Sequence, residues 1–506
     1  MIPKFPPIIP TTTIPSLFNE MNLADVLKQT GIEKRSGASG LAMFQAICMS
    51  PFHGYSNINE LCTSSYAADL GFSKDSLYRF MRNQNYDWQS VQLMLAMNGW
   101  RYMQKHRKPG KNHVTTLAVD DTFISRASSL FSELVANCFD HSAGKFCYGM
   151  FDLQCFYSDG TNSLPFLSQL VSGKQILCQS YRDSSPDSPA AARREDALKS
   201  KLILVKEMLL TLLNNGMSVD YLLADSWYCC DWLVNDLANY GVHSIMRAKS
   251  SFTFKLNPDD KKLMSQDDIF DSLPKKSCGK VFLNSCIAYN SKGTKLQLVF
   301  VPYNRLPAAS ETDNNGETKA ASKIKPPRFI CILTNDTNIS PKKVVKLYKR
   351  RWGIEINFKT QKQHLSLDSG CQSTDFNSFY AFTVMAKLRY ILLECYRVAT
   401  HSKYSHCALF RKIKEALTAT KQYQYCCQVI ARTQYRFEKS DDFDSSQKDA
   451  LAAIYKEEVL CLASELNIGE SEALYMFSNI SKKIRAIPTA KYYSPKTNLA
   501  LTCIEL

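Results

Sequence analysis

The stretch SPKKVVKLYKRRWGIEINFKTQKQHL, residues 340–365, decides how this sequence is interpreted. Ser340 is suited to cap a helix, and Pro341 suits the first helical position, where a missing N–H costs nothing. The pattern therefore predicts one long helix from Pro341 onward. At about 100° per residue, five polar side chains of this helix fall within about 80° of arc. They are Tyr348, Arg351, Glu355, Lys359 and Lys362.

The charge balance of this helix is unusual. Between Pro341 and Gln363, eight lysines and arginines accompany a single acid, Glu355. A solvated basic helix, with Glu355 and Lys359 as an ordinary i,i+4 pair, is one interpretation. The opposite side also carries apolar residues, which predicts that the helix docks by one surface and presents the other to a polyanion. These apolar residues are Val345, Trp352, Ile354, Ile356 and Phe358.

The spacing of Tyr348, Arg351, Glu355 and Lys362, with two, three and six residues between them, matches a known motif without a gap. It resembles the Y-R-E-K signature of bacterial insertion-sequence DDE transposases of the hairpin-forming, cut-and-paste type. The resemblance implies an α/β protein with an RNase H-like catalytic core, interrupted by a β-rich insertion and flanked by helical N- and C-terminal regions.

Two further acids complete the set that this resemblance implies. Asp120 ends the predicted strand at residues 114–122, and Asp225 ends the strand YLLADSWY. Strand ends are where α/β sheets place ligands, and an all-carboxylate set suits hard divalent cations. We expect Asp120, Asp225 and Glu355 to be catalytic and to bind two Mg²⁺ ions, with Mn²⁺ as a substitute. Asp121 is the alternative to Asp120 as the first ligand, and each Asp taken alone fits a cap or turn.

The same resemblance assigns the basic residues to DNA. Arg351 can grip a phosphate bidentately, Lys359 and Lys362 add positive charge, and Tyr348 can donate one hydrogen bond. The chain departs from the family in one respect, because none of its five tryptophans lies in the insertion. If a base is flipped, it must stack on another aromatic residue. The candidates are Trp227 beside the acids, and Phe252, Phe254, Tyr289 and Tyr303 in the insertion.

Pattern changes along the chain predict five regions. Residues 1–110 are predicted to form a helical DNA-binding region, and residues 401–506 a helical C-terminal region. Between them, residues 111–250 and 329–400 are predicted to form the two parts of the RNase H-like core, and residues 251–328 the insertion that separates these parts. Within the first region, Gly71 and Ser73 separate two helices as in a helix-turn-helix, whose second helix would carry Lys74 and Arg79 to DNA. An ordinary helical hairpin fits the same pattern. The Pro/Thr-rich start, residues 1 to about 20, is predicted to be an extended or mobile arm.

Composition bounds the partners and the compartment. A formal charge of +15 and a pI near 9.0 over 506 residues favour a polyanion. No long apolar run and no signal-peptide layout is apparent, so we expect a cytoplasmic protein without a membrane partner. Eighteen cysteines without a CxxC motif predict reduced, mostly buried thiols. The expected partners are double-stranded DNA, both terminal repeats and target, and a second copy in a homodimer on DNA.

Three functions follow from these patterns. The leading hypothesis is a transposase that binds element ends, cleaves them and joins them to target DNA. A structure-specific nuclease of RNase H-like fold would share the sheet and the acids. A catalytically inactive, transposase-derived DNA-binding protein would keep the basic surfaces alone.

Overall fold

The structure is a computed structural model, and it describes residues 13–34, 36–64, 71–106, 114–127, 131–140, 143–178, 185–274, 281–303 and 328–486. Two segments lie outside these ranges: residues 307–327, whose polar composition predicts a solvent loop, and residues 107–113, which belong to a basic stretch predicted to link the first two regions. No helix among the described residues has the length and apolar character needed to cross a bilayer.

Helices dominate the two ends of the described chain. The first six are α1 Thr13–Glu20, α2 Leu23–Gln29, α3 Gly40–Met49, α4 Ile58–Thr63, α5 Lys74–Met81 and α6 Trp88–His106. The middle ones are α7 Pro189–Asp196, α8 Lys201–Asn214, α9 Asp231–Asn239, α10 Gln266–Ser272, α11 Pro341–Tyr348 and α12 Trp352–His364. The last are α13 Phe376–Ala399, α14 His406–Lys439, α15 Ser445–Glu465 and α16 Glu470–Arg485.

Eleven strands are described between and among these helices. They are β1 Thr116–Ser125, β2 Ala136–Asp140, β3 Lys145–Ser158, β4 Ser163–Val171, β5 Tyr221–Ala224, β6 His243–Arg247, β7 Thr253–Phe254, β8 Met264–Ser265, β9 Asn284–Tyr289, β10 Lys295–Pro302 and β11 Phe329–Thr334. Nine of them form one mixed sheet in the order β2-β3-β1-β5-β6-β11-β10-β9, with β4 also paired to β3.

The centre of the sheet has a recognisable topology. β4, β3 and β1 are antiparallel neighbours, and β1, β5 and β6 then run parallel. The connection from β4 to β5 contains the helices α7 and α8. A long connection of this kind is needed for β5 to pair parallel to β1. The α/β prediction is confirmed, and this strand order is consistent with the predicted RNase H-like core.

The region predicted as an insertion joins the same sheet. β10 pairs with β11, and β9 pairs with β10, so both extend the sheet beyond β6. The separate β7–β8 pair and the short α10 precede them. Among the described residues, the strands at 284–302 are therefore continuous with the catalytic sheet.

The helical ends pack in different ways. The N-terminal helices share one apolar core with the sheet and with α13, which is buried along nearly its whole length. Residues 13–20 form α1 and bury Leu17, so the prediction of an extended arm is wrong there. The second half of α14 forms a separate core with α15 and α16.

A buried acid stabilises the junction between α13 and α14. Glu394 is 1% exposed and accepts from Arg397 at 2.7 Å and from His406 Nε2 at 2.8 Å. Burial by itself raises the pKa of Glu394, but these partners outweigh burial and lower it to about 2. The charged carboxylate therefore links the end of α13 to the start of α14.

The helix predicted for residues 340–365 is interrupted. α11 ends at Tyr348, Lys349–Arg351 form a 3-10 turn, and α12 begins at Trp352. A 3-10 turn advances about 120° per residue, compared with about 100° in an α-helix, so it shifts the angular position of α12 residues relative to those of α11. Tyr348, predicted to lie on the presented face, is 5% exposed, while Ile356, predicted to dock, is 48% exposed.

Candidate active site

Two of the predicted acids lie side by side because their strands are parallel neighbours. The register pairs Thr116 of β1 with Tyr221 of β5, and Ala118 with Leu223. Extending this register by two residues places Asp120 beside Asp225, immediately after β5 ends. Both side chains therefore belong to the same face of the sheet.

The third acid reaches the pair from α12. Arg351 Nη1 contacts Asp120 Oδ2 at 3.1 Å, and Arg351 Nη2 donates a short hydrogen bond to Glu355 Oε1. One guanidinium thus links Asp120 to Glu355. Asp225 Oδ1 accepts from the backbone N–H of Trp227 at 2.8 Å, which fixes the turn after β5.

The electrostatics show how closely the acids approach one another. Burial, followed by the charge of Asp225, raises the pKa of Asp120 to about 8, against the opposing effect of Arg351. Burial also raises the pKa of Glu355, where Arg351 lowers it and Asp225 raises it again. Asp225 therefore repels both of the other acids, and positive charge nearby favours their ionised forms.

Asp121 faces the other side of β1. It pairs across to Leu153 of β3, whereas Asp120 pairs to Gln154. Its carboxylate contacts Lys201 Nζ at 2.8 Å and accepts a short hydrogen bond from Tyr228. The structure thus groups Asp120 with Asp225 and Glu355, and holds Asp121 in a separate ion pair.

All of these acids line one cleft of about 1230 Å³. Three residues predicted to bind DNA line it as well: Tyr348, Arg351 and the 47% exposed Trp227. Lys359 is exposed on α12, and Lys362 donates to the Phe123 carbonyl at 2.6 Å, but neither is among the lining residues. The cleft therefore gathers six of the eight predicted site residues.

The predicted stacking residues of the insertion differ in accessibility. Phe254 is fully buried, and Tyr303 is 45% exposed. Neither lines the cleft with the acids. Among the predicted stacking residues, Trp227 is the one that lines it.

Sequence reasoning did not single out several residues that line the cleft, among them Lys201, Tyr228 and Arg247. Lys201 and Arg247 belong to no motif, and their place depends on how α8 and β6 pack. Tyr228 is the third residue after Asp225, in a segment that was already identified, and its aromatic character next to an acid was the available signal.

A buried polar network supports the helix that carries Glu355. Gln154, directly opposite Asp120 in register, accepts from Asn357 Nδ2 at 2.8 Å and donates to Gln361 Oε1 at 2.8 Å. Gln154 also donates to Asp152, which pairs with Lys387 Nζ at 2.7 Å. These side chains are all buried, so the network fixes α12 against β3 beneath the acids.

The donor chemistry of the site suits a hard divalent cation, since the three converging groups are carboxylates that repel one another. Among the described residues, no group of three or more His, Cys, Asp or Glu side chains has the compact arrangement of a metal site. Arg351 instead supplies positive charge between Asp120 and Glu355. The oxygen-donor chemistry of these side chains, and not their arrangement around Arg351, is what suits a divalent ion.

Two family models match overlapping parts of the chain. A family model described as "Transposase DDE domain" matches residues 189–392, and one described as "DDE superfamily endonuclease" matches residues 50–266. Asp225 lies in both ranges, Glu355 in the first and Asp120 in the second. The two matches support a DDE transposase, with a domain of the endonuclease and polynucleotidyl transferase kind.

Two other comparisons add no further argument. No curated protein matches the chain. A solved structure titled "Cryo-EM structure of piggyBac transposase synaptic complex with hairpin DNA (SNHP)" matches with 13% identity and a TM-score of 0.40, covering 87% of this chain and 84% of that one. At that TM-score the similarity bears on neither the fold nor the activity.

Proposed function

We propose that this protein is a cut-and-paste DNA transposase of the insertion-sequence type with the Y-R-E-K signature. It binds the terminal repeats of its element, cleaves the strands there and joins the 3′-hydroxyls to target DNA. The observation that carries the proposal is that Asp120, Asp225 and Glu355 line one cleft, in a chain that matches transposase and endonuclease DDE models.

In this proposal Asp120, Asp225 and Glu355 hold two Mg²⁺ ions, for which Mn²⁺ can substitute. When bound, such ions activate the attacking oxygen and stabilise the leaving oxyanion. Asp121 is assigned a supporting role, because its carboxylate is taken by Lys201 and Tyr228.

The cationic residues then serve the DNA. Arg351, held between two carboxylates in the DNA-free chain, turns to a phosphate as the acids take up metal. Burial raises the pKa of Tyr348 to about 12, so its phenol stays neutral and can donate a hydrogen bond near pH 7. Exposed Lys359, together with Lys362, extends the positive surface along α12.

The proposal also covers the wider assembly. Double-stranded DNA is the partner at both the terminal repeats and the target, and two copies act as a homodimer in the cytoplasm. The N-terminal region binds DNA through α5, which is capped by Ser73 and carries Lys74 and Arg79. The division of the chain into the five regions given above is part of the same proposal.

The direct test replaces Glu355 with Gln and incubates the protein with paired DNA ends that carry the repeats flanking its gene, in Mg²⁺ or Mn²⁺. We expect the wild-type protein to cleave and join these ends, and the E355Q variant to lose at least about a hundredfold in cleavage rate. Asp267→Asn is the matched control, since Asp267 is an exposed acid outside the cleft.

The outcomes separate the three functions. Cleavage without any joined product would identify a nuclease. DNA binding without cleavage by the wild-type protein would identify an inactive, transposase-derived binding protein. Unchanged cleavage by E355Q would show that the site has been assigned to the wrong residues.

A further inference from the structure

A hydrogen bond between two side chains connects β1 to the turn at residues 226–228, which follows β5. In the described part of the chain, the ladder between β1 and β5 ends at the pair Ala118–Leu223. Asp120 and Asp225 each lie two residues beyond this pair, so strand pairing alone does not hold them together. The separation of the two acids therefore depends on how the turn is attached to β1.

Tyr228 attaches the turn to β1. Its hydroxyl donates a short hydrogen bond to Asp121 Oδ1, and the residue is 1% exposed. Burial, followed by the charge of Asp121, raises the pKa of Tyr228 well above its usual value, so the hydroxyl keeps its proton and remains a donor. At the start of the turn, Asp225 Oδ1 accepts from the Trp227 N–H at 2.8 Å. The turn is thus held to Asp225 at one end and to β1 at the other.

Both oxygens of the Asp121 carboxylate have a partner. Oδ1 accepts from Tyr228, and Oδ2 contacts Lys201 Nζ at 2.8 Å. The Lys201 ammonium also lies 3.5 Å from the centre of the Phe151 ring, so it is held from a second side. Because Asp121 directly follows Asp120, these contacts fix the strand position next to that acid. One carboxylate therefore joins this strand position to the turn after β5.

We propose that Tyr228 and Asp121 are positioning residues, whose hydrogen bond sets the distance between Asp120 and Asp225. They act through these two acids and contact neither metal nor DNA. Residues that orient metal ligands in this way typically contribute about 10–100-fold to metal affinity or activity. The inference rests on the proposed function, in which the two acids bind the divalent ions, and it gives the acid after Asp120 a role of its own.

The first test needs no metal. Hydrogen–deuterium exchange of the full chain in EDTA, measured by mass spectrometry, reports on the Trp227 and Tyr228 amides of the turn. Tyr228→Phe should speed exchange at residues 226–228 by about tenfold, which is the scale of one lost hydrogen bond. Tyr157→Phe is the matched control, because it removes a tyrosine hydroxyl that donates to the Ser218 carbonyl at 2.9 Å in the same sheet, and it should leave this exchange unchanged.

The second test follows cleavage of paired DNA ends over a range of Mn²⁺ concentrations. Tyr228→Phe and Asp121→Ala should each raise the half-saturating Mn²⁺ concentration by about tenfold and lower the maximal rate less than about threefold, since saturating ion concentrations compensate for weaker binding. A role in folding alone would lower the maximal rate and leave the half-saturating concentration unchanged. Asp121→Asn should keep the wild-type Mn²⁺ requirement, because its amide can still hydrogen-bond to Tyr228 although Lys201 loses its partner charge.

The outcomes separate this inference from the proposed function. Unchanged exchange at the turn in Tyr228→Phe overturns the inference, as does an unchanged half-saturating Mn²⁺ concentration. A rise in Asp121→Asn as large as that in Asp121→Ala also overturns it, because Asp121 would then bind the metal itself. A wild-type protein that never cleaves refutes the proposed function, and the exchange measurement still decides whether the turn depends on Tyr228.

Discussion

Replacing Asp120 with Asn should stabilise the DNA-free, metal-free protein. Burial and Asp225 raise the pKa of Asp120 from 3.8 to about 8. Between pH 3.8 and about pH 8, the Asp120 carboxyl keeps its proton in the folded state but has released it in the unfolded state. The free energy of unfolding therefore falls as pH rises through this range. Asn has nearly the same shape and no charge, and it removes this decline.

The size of the effect follows from the same numbers. At pH 7 the unfolded carboxyl lies about three pH units above its pKa, and each unit corresponds to about 1.4 kcal/mol, so the upper limit is about 4 kcal/mol. Two effects lower the stability that the Asp120→Asn substitution gains. The Asp120 side chain is 20% exposed, and the substitution removes its ion pair with Arg351. We expect about 2 kcal/mol at pH 7 and less than about 1 kcal/mol at pH 5.

Urea unfolding of the wild-type protein and of Asp120→Asn, in EDTA at pH 5, 6, 7 and 8, measures this difference. Asp121→Asn is the matched control: it leaves Lys201, 14% exposed, without its acid, so it should destabilise at every pH. If Asp120→Asn is no more stable than the wild type at pH 7, or if its gain does not grow with pH, the carboxylate cluster lacks the proximity described above.

Three further predictions concern the framework of the site, each measured by urea unfolding. Lys387→Met should destabilise the protein by about 3–5 kcal/mol, because it leaves the buried charge of Asp152 without its partner. Adding Asp152→Leu should recover most of this loss. If it recovers none, the two residues do not act as a simple ion pair. The pKa of Glu394 is lowered to about 2, so the stability that its carboxylate contributes is present above pH 4.5 and is lost as pH falls toward 2. Glu394→Gln should therefore flatten that part of the acid-unfolding profile. Gly370→Ala should destabilise by at least about 2 kcal/mol, because a Cβ there would lie 1.6 Å from the Phe382 ring, and Phe382→Leu in the same chain should relieve part of it.

The sequence predicted the parts of the site that depend on local pattern. Asp225 follows an apolar strand, Ser73 accepts from the Ser76 N–H at the start of α5, and Pro341 opens α11, as their neighbours indicated. Each of these depends on residues within a few positions along the chain. Such local rules need no knowledge of the tertiary structure.

The parts that it could not predict depend on contacts between distant segments. The 3-10 turn at Lys349–Arg351 breaks the helical phase, so the pattern placed Tyr348 on an exposed face although it is buried. Lys201 reaches Asp121 only because α8 packs against the sheet. Pairing of β9 and β10 with β11 is likewise a long-range outcome that no spacing of residues announces.

The amide of Gln154 has a consequence for protein engineering. β3 contributes none of the three cleft acids Asp120, Asp225 and Glu355, yet its Gln154 is hydrogen-bonded to the helix that bears Glu355 and lies opposite Asp120. A chimera that transplants α12 into another scaffold must therefore transplant this strand position with it. Without that amide, the grafted helix would lose the buried hydrogen bonds of Asn357 and Gln361 to the strand beside the first aspartate.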